Sequence, residues 1–172
     1  MQIIFIDNSY QLTSSLINFK ALDSIQKILI YFSEALSSKD HKVTIYNNRR
    51  HKKNNTGVIW KNISELRADK ADVLILFQDI DLIKYKVEAK VKFLFLYYEP
   101  FEKLNNQHLI ELIKKKFCIL YSCNYVVSAL PHNFNYVPKL RLDLGVDESY
   151  INSNIINTTY SNVFVNTHAL KG

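Results

Sequence analysis

Glycine is nearly missing from this chain: Gly57, Gly145 and Gly172 are the only three in 172 residues. None follows the first apolar run, Ile3 to Ile6, so neither a G-x-G-x-x-G turn nor a P-loop is present. The usual backbone cradle for a pyrophosphate is therefore excluded. A G-x-S-x-G nucleophile elbow is absent as well. Two cysteines, Cys118 and Cys123, are too few for a zinc site, and the five histidines show no ligand spacing. No metal is expected. Cys123 stands where a strand-end nucleophile would, but nothing in the sequence supplies its base, and it reads as a small buried residue. The longest apolar runs, Val73 to Phe77 and Phe93 to Tyr98, fall far short of the roughly 20 residues that span a bilayer. Met1-Gln2 leads into "IIFI" without a basic region or a cleavage signal. A reducing, cytoplasmic setting is the expectation.

What is present is 48% apolar residues, enough for one compact domain and a modest remainder, and a net charge of +6. The densest charge is "NNRRHKKNN", Asn47 to Asn55. It reads either as a patch that meets phosphates or as a solvated loop between two strands, and the flanking asparagines favour the loop. "KKK", Lys114 to Lys116, closes an expected helix and complements its dipole.

Strand and helix patterns alternate along the chain. "IIFI" is a short apolar run suited to a central parallel strand. Ser24 can cap a helix carrying Ile25, Ile28, Leu29, Phe32 and Leu36 on one stripe. Further strands are expected over Lys42 to Tyr46, Gly57 to Trp60, Asp72 to Phe77, Lys92 to Tyr98, Phe117 to Ser122 and Asn135 to Leu142. A short helical or irregular piece covers Ile80 to Val87, and a helix surrounds Leu109 to Ile113. The alternation implies an α/β fold with a doubly wound, mostly parallel sheet and helices on both faces.

Ligands of such sheets collect beyond the carboxyl ends of the strands. That rule selects Asp7, Asn8 and Ser9, then Gln78 and Asp79, then Tyr98, Glu99 and Pro100, then Cys123 and Asn124. Each alone is ordinary turn chemistry. Their convergence on one rim is what would make a site, with Asp7-Asn8 and Tyr98-Glu99 the leading pairs.

"ALDSIQKILIYFSEALSSKDHKVTIYNN", Ala21 to Asn48, resembles the opening of family 4 glycosyltransferases of the GT-B architecture. The stretch "FSEALSSKDHKVTIY" is similar to that family's "LA.AL..RGHEV.V" pattern, with His41 just before the second strand. "GVIWKNISEL" and "ADVLILF" are similar to the next two segments, and "LRLDLGVDESYI", Leu140 to Ile151, resembles the family's "I.NGVD...F" exit from its first domain. "VFVNTHALKG" looks like the start of the second domain. The resemblance runs over nearly the whole chain, and its specificity lies in the order of the segments.

It implies a Rossmann-like N-terminal domain over 1–147, a polar crossover over 148–162 and the start of a donor-binding domain over 163–172. By the same resemblance the N-terminal half holds a glycan or lipid-linked acceptor, and the missing C-terminal half holds a nucleotide-sugar donor. A hexose would be transferred in the cleft between them. Asp7, Asn8, Ser9, Asp23, Ser24, Gln78, Asp79 and Asn124 would line the cleft, with Tyr98 and Glu99 near the reacting hydroxyl. No tightly bound cofactor and no nucleic-acid partner are expected, while peripheral contact with the inner face of a membrane is allowed. The isolated chain is expected to be inactive.

Two departures bear on catalysis. The family's paired glycines before the first helix are replaced by Asp23 and Ser24, a carboxylate where donor phosphates approach. Its histidine after the fifth strand is replaced by Tyr97 or Tyr98, and tyrosine is a poor base near neutral pH. The alternatives are a non-catalytic partner or pseudoenzyme of the same fold, and an unrelated doubly wound binding module. A receiver-like module would need an acidic cluster at the first strand, where only Asp7 stands.

Overall fold

The computed structural model describes residues 1–10, 22–48, 53–55, 57–67, 70–97 and 104–143. The strands are β1 (Gln2–Tyr10), β2 (Lys42–Asn48), β3 (Lys53–Asn55), β4 (Val58–Asn62), β5 (Lys70–Phe77), β6 (Glu88–Leu96), β7 (Phe117–Tyr121) and β8 (Lys139–Arg141). The helices are α1 (Ser24–Ser37), α2 (Asn106–Lys114) and α3 (Asn124–Ser128), with 3-10 turns at Ile63–Glu65, Ile80–Lys84 and His132–Tyr136. One eight-stranded sheet runs β3-β4-β2-β1-β5-β6-β7-β8. All pairings are parallel except the β3 hairpin with β4. The chain is therefore α/β, with a Rossmann-like doubly wound sheet.

The order reverses beside β1. The chain first moves outward from β1 to β2 and β4, then returns to β5 on the other side. With right-handed crossovers, opposite directions of travel place the connections on opposite faces. The packing agrees. Phe5, Ile45, Trp60, Ile75 and Phe77 form one buried face, against which Leu29 and Ile30 of α1 pack. Ile4, Ile6, Leu74, Leu76 and Leu94 form the other, covered by Leu82, Leu112, Val126 and Phe134 from the later connections. Alternation along each strand generates the two faces.

Helix α1 begins one residue earlier than its sequence suggests. Asp23, not Ser24, is its N-cap: Asp23 Oδ1 accepts from the Gln26 amide at 2.7 Å, and Gln26 Oε1 accepts from the Asp23 amide at 3.3 Å. This capping box satisfies two otherwise orphaned donors. Asp23→Ala is expected to lower stability by about 1 kcal/mol, measurable by urea unfolding. The helix also buries Ile30 and Ser33, outside the expected stripe, and Ser33 Oγ–H is satisfied by the Ile30 carbonyl at 2.8 Å. Phe32 meets the fully buried Phe5 edge to face at 5.6 Å.

At the amino edge of the sheet, Asp72 joins three strands. Its Oδ2 accepts from the Gln2 amide at 2.8 Å and its Oδ1 from Lys90 Nζ at 2.7 Å. The hydrogen bond from Lys90, then that from Gln2, hold the Asp72 carboxyl below its ordinary 3.8, and Asp72 in turn raises Lys90. A depressed carboxylate stabilises the fold above its unfolded pKa, and that contribution fades as pH falls through the folded value. Stability should therefore decline with acid below about pH 4, and Asp72→Asn should flatten that limb in thermal melts.

The compact unit built from these elements is Met1–Leu142, and of the second, Asp143–Gly172, only Asp143 is described. The expected crossover over 148–162 and the segment 163–172 lie outside the described residues. Among the described residues, no helix is long and apolar enough to cross a membrane.

Candidate functional site

A crevice forms at the carboxyl end of an open α/β sheet where the strand order reverses, here between β1 and β5. Asp7 is in register with Phe77, the last residue of β5, so Asp7-Asn8 and Gln78-Asp79 meet at the same rim. Strand alternation sends the first pair to opposite faces. Asp7 follows Ile3 and Phe5 toward the α1 face and is buried, whereas Asn8 is exposed.

Asn8 is the centre of a bridge across three strands. Its Nδ2 donates to Asp79 Oδ2 at 2.9 Å. Asn48 at the end of β2 donates its own Nδ2 to both the carbonyl and Oδ1 of Asn8, each at 3.0 Å. Asp79 Oδ1 accepts the Asp81 amide at 2.9 Å and so caps the 3-10 turn that follows. The array fixes the Asn8 amide by giving its nitrogen an acceptor in Asp79 and its oxygen a donor in Asn48.

Gln78 tightens the next gap. It adopts φ 63°, a left-handed conformation uncommon outside glycine and costing about 1–3 kcal/mol. Its amide donates to the Phe95 carbonyl at 2.8 Å, and its Oε1 accepts the Tyr97 amide at 2.7 Å. Strain held by two long-range hydrogen bonds is a mark of a rim kept in one geometry.

The remaining candidates do not join this cluster. Asp23 is committed to its capping box and Ser24 is the exposed first residue of α1. Asn124 begins α3 after β7, three strands from β1, which is about 14 Å at ordinary strand spacing. Tyr98, Glu99 and the side chain of Ser9 lie outside the described residues. Cys123 is exposed rather than buried, and forms the N-cap of α3 without a side-chain hydrogen bond. Burial pushes the half-buried Cys118 thiol above its ordinary 9.0, so it is a weak nucleophile. Among the described residues no group of three His, Cys, Asp or Glu could hold a metal ion.

Asn48 was not foreseen from the sequence, because only the β1–β2 register brings it beside Asn8, forty residues away. Nor was His108, at the start of α2. Its Nε2 lies 3.5 Å from Asp81 Oδ1, beyond the capped turn.

The rim fits a dinucleotide or a diphosphate poorly. No glycine follows β1, the first-turn amides of α1 already face the Asp23 carboxylate, and Asn47 and Asn48 replace an acid at the end of β2. The fold and the rim thus define a Rossmann-like domain with a polar, amide-rich switch-point site. No protein-family model matches the chain, and no curated protein matches it.

Proposed function

We propose that this domain is the acceptor-binding half of a nucleotide-sugar-dependent glycosyltransferase of the GT-B architecture. It would hold a glycan or lipid-linked hydroxyl at the carboxyl rim. The reading assigns the nucleotide sugar to a second α/β domain and hexosyl transfer to the cleft between the two.

The observation that carries it is the Asn48-Asn8-Asp79 bridge at the switch point. Two amides and a carboxylate, alternating as donors and acceptors, suit sugar hydroxyls, which both donate and accept. The Asp23 carboxylate, bonded to the Gln26 amide, disfavours phosphate at the amino terminus of α1. The order of the sequence segments that resemble the family supports the same reading.

Saturation-transfer NMR on the whole chain provides the test, with glucose, galactose and N-acetylglucosamine compared against UDP and ADP. Saccharide signals that disappear in Asn8→Ala, with little response to either nucleotide, are expected. Nucleotide binding without a saccharide response, or no saccharide response at all, would overturn the assignment.

A further inference from the structure

A second concave surface adjoins the rim. The 3-10 turn Ile80–Lys84 and helix α2 enclose a groove of about 430 Å³, within the size range of small-ligand clefts. Asp81 and Lys84 stand on one wall, Gln107, His108 and Glu111 on the other, with Ile83 contributing apolar surface.

The wall groups carry unused hydrogen-bonding capacity. Asp81 and Lys84 are three residues apart on a 3-10 turn, so their side chains share one face. They do not pair with each other, and among the described residues Lys84 has no ion-pair partner. The Asp81–His108 separation of 3.5 Å is too long for a settled hydrogen bond. His108 Nδ1 is buried without a partner, so Nε2 is the ring nitrogen left to face the groove and Asp81. Lys115 closes the far end, fixed by the Ile83 carbonyl and Glu111, each at 2.9 Å.

Two carboxylates, two ammonium groups, an imidazole and an amide give a surface of mixed sign. A phosphate would meet Asp81 and Glu111 as well as the lysines. A sugar ring suits the arrangement better: its hydroxyls donate to the carboxylates and accept from Lys84 and Gln107.

The groove does not include Asp79, but Asp79 ties it to the rim. Asp79 accepts from Asn8 through one carboxylate oxygen and from the Asp81 amide through the other. Two residues of chain reach at most about 7 Å, so Asp79 at the rim and Asp81 in the groove are within the span of neighbouring sugar units. We infer that the groove is a second saccharide subsite continuous with the switch-point crevice. The domain's ligand is then an oligosaccharide lying across both, not a single sugar. This rests on the saccharide reading of the rim and extends it to the length of the ligand.

The test titrates the whole chain with glucose, maltose and maltotetraose, and with the matching N-acetylglucosamine oligomers, by calorimetry or NMR. Lys84 and Gln107 are both exposed, so the double variant K84A/Q107A should fold. In one of the two series the tetrasaccharide is expected to bind about tenfold or more tighter than its monosaccharide. The double variant should remove that gain, bringing the tetrasaccharide to the level of the monosaccharide. Affinity independent of length, or a double variant that keeps the full gain, would overturn the groove as a subsite while leaving the rim reading intact. Absence of binding by every saccharide would remove both.

Discussion

Phe95→Ala is expected to destabilise the domain by about 3–5 kcal/mol. That corresponds to roughly 10–15 °C in the thermal midpoint for a unit of this size. Phe95 is fully buried near the carboxyl end of β6 and stacks on Phe77 of β5, with centroids 4.9 Å apart and planes 15° from parallel. Removing the ring leaves a cavity whose walls are central sheet residues, which collapse poorly. Part of the cost is specific to the pair: a Phe77/Phe95 double-mutant cycle should return a coupling of about 0.5–1.5 kcal/mol. The change should also reach the rim, because the Phe95 carbonyl helps hold Gln78 in its left-handed conformation. Saccharide affinity is therefore expected to fall even well below the melting temperature. A loss under about 1 kcal/mol would show that the stacked pair is not a structural support of the site.

The sheet could be read from the sequence because its central strands are buried on both faces. "VLILF" and "FCILY" are continuous apolar runs within β5 and β7, and no charged residue interrupts them to suggest otherwise. The ends were less legible. β1 continues through Asp7 to Tyr10, since polar residues at a strand end pair through their backbone and leave no hydrophobic pattern. β3 falls in the basic stretch whose flanking asparagines favour a loop. Its Lys53, Asn54 and Asn55 pair antiparallel with β4 across a turn containing Gly57 at φ 77°. The strand expected from Asn135 to Leu142 is instead the end of a 3-10 turn followed by the three residues of β8. In the site, the strand-end rule located Asn8 and Asp79 but could not separate Asp7 from Asn8. It had no means of finding Asn48 or His108, whose neighbours are set by register and helix packing rather than by spacing.

Asn8→Asp is expected to cost the domain at least about tenfold in saccharide affinity near neutral pH, with little change in its overall shape. The side chains are nearly isosteric, but the amide that donates to Asp79 Oδ2 at 2.9 Å becomes an oxygen that can only accept. Two carboxylates at that distance repel, by roughly 1 kcal/mol or more even in water-like surroundings. The bond from Asn48 to the residue-8 oxygen survives, so the break falls on the β1–β5 side of the bridge. The pH dependence has a definite sign. Like charges disfavour joint ionisation, so the variant pair takes up a proton at higher pH than a lone carboxylate would. Protonation restores a donor between the two oxygens, and affinity should recover as pH is lowered toward 5. The wild-type protein has its donor at every pH and should show no such recovery. Asn8→Ala separates repulsion from loss of the bridge: it should bind weakly at both pH values. If Asn8→Asp bound saccharide as the wild type does at pH 7, the three-strand bridge would not be the element that recognises the ligand.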